Sequence, residues 1–591
     1  MAGPDARAKC EPAAGIRARI SRKIDWDGQA TSAQIALICV AAALLSCIFA
    51  GYVFGVSNQQ QYLPIVDRLY DEPQFKDDIF IQSLRYYASG IWLVIGAGPK
   101  YQDGGYVLLL VLFYLSRLLS FIGFVCCASQ LGITSIRDRL IFCAIVCFTV
   151  LLDGNSFAGH GGLFLIFFTH SEIANGTTLI AIYFSIRSRF TAALFWTGAT
   201  FFVNAFMGVW LAPVLLLIAI TLLQERKIEI RTLLRQAVPG TAIAALFAAP
   251  IAYNILSNPE LRTPIDFDYV EFLREFYGSH FLIDSNSSED IVLLLSVTCL
   301  GWLSIRQLST PQEISTTQFR AAFVATISVY VIGIFVPYLT SNASILKLNL
   351  LRSSAVIQLL TVVGAGALST RWISSPDRTR SAFLGPLLLL FICATKYLLP
   401  LAAILVALAD HWRARRTNFA LRIAVFASLA LVIIPWQLWQ RMRLVTELNR
   451  DVADWQSVGT WARSTTASDA VFLIPTWSAV SLEGKSKADI RRSLELISAA
   501  SIFQVASHRR VWVDLNSGGT VILTPSYYRE WHSKITAVMA LRALPEKLSY
   551  ARSNGVQYLV EDCALFRDAN IAPAFRSGDL CASSTGAGSS G

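Results

Sequence analysis

Residues 62–78, "YLPIVDRLYDEPQFKDD", carry five carboxylates: Asp67, Asp71, Glu72, Asp77 and Asp78. The adjacent pair Asp77–Asp78 offers a general base for the proton of an attacking hydroxyl, or hard oxygen ligands for a divalent cation such as Mg or Mn. A second set lies in "FFTHSEIANGTT" (167–178), where His170 and Glu172 fall within an apolar run. Ionisable groups in such runs face a cavity or a charged partner. Asp153 and His160, in "LLDGNSFAGHGG" (151–162), come just before. The H-x-E spacing at 170–172 is not that of an HExxH zinc site. The third set is "LKLNLLRSS" (346–354), with Lys347 at its edge and Arg352 deeper in the apolar stretch. A guanidinium there suits the phosphate or diphosphate of a lipid. Each set has a plainer alternative: a solvated loop for the acids, an interhelical pair for His170 and Glu172, and for Arg352 a bond to Glu172 or a loop acid.

The elements holding these groups follow from composition. The chain has 591 residues, 54% hydrophobic and 15% charged, with mean hydropathy +0.51. A soluble domain carries about 25% charged residues, so a polytopic helical membrane protein is expected. Thirteen apolar windows run from 33–55 to 419–438. With thirteen crossings, the basic segments 135–139, 185–189, 224–235, 371–380 and 411–416 all face the cytoplasm, as topology by Lys and Arg requires. Residues 1–32 then lie in the cytoplasm, 33–440 form the membrane domain, and the acidic loop 56–103 lies outside. Aromatic and aliphatic residues around its acids suggest two short helices folded back on the membrane surface. The stretch 382–410 reads as a short hairpin or broken helix with Lys396 at its tip. The net charge of +10 comes from short loops, without a basic patch interleaved with aromatics, which argues against nucleic acid.

Beyond 440 the composition turns polar. Residues 441–583 read as an extracytoplasmic α/β domain, with strands near 470–475, 510–515 and 556–561 and helices near 486–500 and 527–545. No GxGxxG follows these strands, which argues against a nucleotide site. Residues 584–591 form a flexible tail. Cys563 and Cys581 are either a disulfide closing a short loop or two free thiols.

Several phrases, "NQQQYLPIVDRLYDEPQFKDDIF" (58–80), "THSEIANG" (169–176), "NLLRSS" (349–354) and "WARSTTASDAVFLIP" (461–475), with the layout, resemble the GT-C class of membrane glycosyltransferases. The resemblance implies sugar transfer from a polyprenyl-phosphate-linked donor to a lipid, glycan or protein acceptor, at the outer face of the cytoplasmic (inner) membrane. It gives Asp77 or Asp78 the role of base or metal ligand. Arg352 becomes the candidate for the donor phosphate, with Lys347, Glu172, His170, Asp153 and His160 as further substrate contacts. Membrane lipid and the donor are the implied partners. A transporter with a midplane site, or a scaffold whose outer domain binds a partner, are the competing expectations; no internal repeat supports the first.

Overall fold

The computed structural model describes residues 26–101, 104–153, 156–308, 315–375, 381–411, 419–476 and 487–586. Among the described residues eight helices are long and apolar enough to cross a membrane, from Ser32–Ala50 to Ile423–Thr465. Phe190–Val203, Phe383–Ala394 and Lys396–Leu408 are shorter apolar helices. The expected third and fourth windows become Ile136–Phe148 and His170–Ile186. Each of the thirteen windows thus holds a helix, but five of these helices fall outside the eight with the length to span alone. Between the two short helices of 382–410 the chain breaks at Thr395, in extended backbone, with Lys396 next and paired to Glu289 at 2.7 Å.

The segment Ala343–Ser374 is the centre of the bundle: 89% of its apolar window is buried, against 11% for Ile230–Leu256. Its Gly364 and Gly366 let Ile305 and Phe142 approach the backbone, as small residues do between membrane helices. The chain just before that helix is gripped equally closely. A Cβ at Gly333 would come within 2.6 Å of the Leu350 carbonyl carbon, and one at Gly159 (φ 90°) within 2.5 Å of the Leu351 oxygen. Gly159 belongs to a small turn between strands β1 (Ser156–Phe157) and β2 (His160–Gly161).

The loop 56–103 does not lie exposed on a membrane surface as two helices. It folds into several short ones, among them Gln59–Asp67, Ile79–Ser83 and Gly90–Gly96. Its Tyr62, Leu63, Val66, Phe75 and Trp92 share one core with Phe113 and Phe168 of the membrane part and with Trp455, Phe472 and Phe503 of the C-terminal part. The loop is the filling between two layers.

The last apolar helix does not stop near 440. It continues without interruption to Thr465 and enters the C-terminal domain. Its face Leu448, Val452, Trp455, Val458 and Ala462 packs inward. The domain is a five-stranded mixed sheet in the order β4-β3-β5-β7-β6. Strands β3 (Val471–Leu473), β4 (Arg510–Val511) and β5 (Tyr558–Asp562) are parallel, with Phe472 opposite Val511 on one side and Tyr558 on the other. β6 (Phe575–Ser577) and β7 (Leu580–Ser584) add an antiparallel hairpin, with Val560 opposite Ala582. Cys563 and Cys581 form a disulfide across the β5–β7 edge.

Candidate functional site

Arg352 lies in a short 3-10 turn, Leu350–Ser353, that leads directly into the central helix. The turn is entered through Asn349, whose backbone is left-handed (φ 49°). Among the described residues no carboxylate pairs with Arg352 and no hydrogen bond is formed by its guanidinium. The groups near enough to feel its charge are Tyr62, Tyr87, His170 and His280. Tyr62 stacks on Trp92 at 4.4 Å, and its hydroxyl accepts from the Tyr87 hydroxyl at 3.4 Å. Trp92 Nε1 donates to His170 Nδ1 at 3.1 Å, which places the other imidazole nitrogen of His170 as the N–H tautomer. Asn349 Oδ1, Ser353 Oγ and Ser354 Oγ, on the same six-residue stretch, are buried without a partner. Buried polar atoms are normally satisfied. This stretch therefore concentrates one uncompensated cation and three open hydrogen-bonding groups. His280 also presents an unpartnered Nδ1; burial, with the Arg352 charge adding, pushes its imidazole down to about 3, so it is neutral at pH 7.

A second cluster lies where the loop meets the C-terminal domain. Asp78 caps helix Ile79–Ser83, accepting from Ile81 N at 3.1 Å. Asp514, three residues beyond β4, is buried and accepts from Ser517 N at 2.9 Å. Each is pushed up to about 6, chiefly by burial; the Asp78 charge adds to the rise at Asp514, while Arg510 and Lys534 oppose it at Asp78. Two elements connect the clusters. Helix Gln59–Asp67 offers Gln60 to Asn516 (2.9 Å) and Asp514, and Tyr62 to Arg352. Helix Tyr269–Phe281 offers Tyr277, whose hydroxyl donates to Leu515 O at 3.3 Å, and His280 to Arg352. The helix kinks at Tyr277, whose backbone is non-helical (φ -136°, ψ 21°), three residues before His280.

The remaining expected residues divide as follows. Asp77 is exposed and pairs with no described group, whereas its neighbour Asp78 is drawn inward. Glu172 is fully committed: it pairs with Arg117 at 3.1 Å and accepts from Leu165 N at 2.8 Å and Ser116 Oγ at 3.0 Å. Arg117 is thus the partner of Glu172, and Arg352 is not. Asp153 pairs with Arg441. Lys347 is half-buried at the end of the short helix Ala343–Leu346, two residues before Asn349. The side chain of His160 lies outside the described part of the structure. Among the other loop acids, Asp71 bonds Arg85 at 2.9 Å, and Glu72 bonds His508 Nδ1 at 2.8 Å. Among the described residues no three His, Cys, Asp or Glu side chains converge as a cation cage. Asp514, Tyr277 and His280 were not anticipated. The first had a signal: a carboxylate just beyond the C-terminal end of a parallel strand, where α/β domains carry their sites.

Fold and clusters together define a helical membrane protein bearing a mixed α/β domain after its last apolar helix, with a half-buried arginine, Arg352, facing tyrosines of the acidic loop. No family model and no curated protein matches the sequence. Among solved structures the chain is similar to a mycobacterial arabinofuranosyltransferase, AftD, at a TM-score of 0.41 and 12% identity, over 91% of this chain and 36% of that one. The chain spans about a third of that protein's length.

Proposed function

We propose that the protein is a membrane glycosyltransferase that takes a sugar from a polyprenyl-phosphate donor and passes it to a hydroxyl acceptor at the outer face of the cytoplasmic membrane. The observation that carries this reading is Arg352: a guanidinium without a counter-charge, beside three unpartnered polar atoms. A donor phosphate supplies the missing charge and accepts from the guanidinium fork. Of the rings around Arg352, Tyr62 and Trp92 stack on each other in the core, and Tyr87, half-buried, is the one a sugar can lie against. As the acceptor oxygen bonds to the anomeric carbon, the bond from that carbon to the phosphate oxygen breaks. The phosphate leaves with both electrons, stabilised by Arg352, and the acceptor proton passes to a carboxylate. Asp78, with Asp514 beside it, suits that role better than Asp77, because an enclosed carboxyl raised to about 6 is matched to neutral pH. No step is routed through a cation.

The test is transfer of labelled sugar from a polyprenyl-phosphate pool in membranes carrying the protein. Asp78→Asn and Asp514→Asn should each lose about 100-fold or more, and Asp77→Asn should not. Wild-type rates in Arg352→Ala would end this reading.

A further inference from the structure

The long helix that enters the C-terminal domain has a second face. Ala453, Gln456, Ser457, Thr460, Trp461 and Ser464 follow the i, i+3, i+4 spacing that puts residues on one helical stripe, opposite the stripe buried in the core. With Phe575 of β6 they line an open groove of about 610 Å³, within the range of ligand sites.

Its chemistry is narrow. No lining side chain is charged. Trp461 and Phe575 stack with centroids 5.1 Å apart and planes 11° from parallel, and both remain half-buried at the groove wall. Ser457, Thr460 and Ser464 each donate their hydroxyl proton to the carbonyl four residues back, at 2.9, 2.9 and 3.0 Å. Their protons are thus committed, and their lone pairs face outward as acceptors. Gln456 is held the same way: its amide nitrogen donates to the Tyr101 hydroxyl, and its Oε1 receives no bond from any described residue. The groove therefore presents four acceptor oxygens, an aromatic wall and no charge. A ligand that satisfies it is rich in hydroxyl donors, has C–H faces to set against rings, and is uncharged. An anion meets no cation here, and an alkyl chain would desolvate all four oxygens.

We infer that this groove binds a neutral glycan, as the subsite for an acceptor chain extending away from the reacting end. Binding itself needs only the groove; the word acceptor rests on the glycosyltransferase reading above. The Gln456–Tyr101 contact joins the groove to the loop, since Tyr101 N donates to Asp67 at 2.5 Å.

The experiment uses the full chain in lipid nanodiscs and immobilised oligosaccharides: neutral α- and β-linked hexaoses of glucose and mannose, a pentose hexaose, and oligogalacturonate as the anionic control. The wild type should retain at least one neutral probe and not the anionic one. Thr460→Arg and Ser464→Arg, at exposed positions that fill the groove without touching the core, should reduce retention at least 10-fold. Trp461→Ala should do the same, with intact thermal unfolding of the Arg variants guarding against its effect on packing. Arg352→Ala should bind glycan as the wild type does. Retention of no neutral probe, or unchanged retention in both Arg variants, overturns the inference, as does a groove closed by a second copy of the chain in the nanodisc. Glycan retention without any sugar transfer would keep the groove and remove the glycosyltransferase reading instead.

Discussion

Arg117 and Arg352 are both basic groups inside the same bundle, yet they sit in opposite surroundings. Arg117 has Glu172 at 3.1 Å, the Leu165 carbonyl at 2.5 Å and the Phe164 ring 3.8 Å beneath its guanidinium. Arg352 has tyrosines, histidines and unpartnered hydroxyls, and no carboxylate among the described residues. Arg117 is fully buried and neutralised by a built-in counter-ion, although its Nε and Nη1 form no hydrogen bond. Arg352 is half-buried and has no such counter-ion among the described residues. Under the proposed function, the first serves structure and the second a ligand.

The comparison breaks most violently at Glu172. Glu172→Ala leaves Arg117 buried and uncompensated, which should cost about 3–5 kcal/mol and show as lost folded protein in a detergent thermal-unfolding assay. The corresponding change at Arg352 should behave in reverse. Arg352→Ala removes a charge with no partner, so the unfolding midpoint should hold or rise, while transfer falls about 10²–10³-fold; Arg352→Lys should lie between. Equal loss of stability in both would erase the contrast drawn between them.

A smaller, signed effect concerns the carboxylates of the second cluster. Asp78 and Asp514 move from an ordinary 3.8 to about 6 on folding. A raised carboxyl favours the folded state when protonated, so their stabilising contribution is full below about pH 3.8 and lost as pH rises through 6. Asp514→Asn should therefore flatten the unfolding midpoint between pH 4.5 and 7 and raise it at pH 7, while lowering transfer. Wild-type transfer should climb through pH 6 as the base ionises. A stabilised variant with undiminished transfer would make Asp514 purely architectural. The smallest effect belongs to Asp77, exposed and unpaired: Asp77→Asn should change stability by less than about 0.5 kcal/mol and leave transfer unchanged.

Much of this arrangement was legible from residue order. Apolar windows located the helices because a bilayer fixes how long an apolar helix must be. The runs AVFLIP, RVWVDL and VQYLVE located β3, β4 and β5, since buried parallel strands are continuously apolar. β6 and β7 were missed, because FRS and LCASS are short and LCASS holds no β-branched or aromatic residue. The pairing of Glu172 had a visible clue in Arg117, a lone arginine inside "YLSRLL", which needed an opposite charge somewhere. The burial of the acidic loop had none. Asp78 lies near enough to Asp514 for their charges to interact, and Glu72 bonds His508, across more than four hundred residues. No local periodicity reports such a contact, and so the five acids of 62–78 looked alike while their fates differ.

The helix that runs unbroken from the bundle into the α/β domain has one more consequence. Val445 lies against Gly51, where the first apolar helix ends, and Thr460 follows fifteen residues later, about 22 Å along a rigid rod. That rod acts as a ruler. It sets the groove at a fixed height above the end of the first apolar helix, so that, if the groove binds a glycan as proposed, a lipid-anchored chain would need enough sugar units to climb that distance before the groove could hold it. Short chains would be processed without this grip and long ones with it, and the length of the helix, rather than any contact within the groove, would decide where the change occurs.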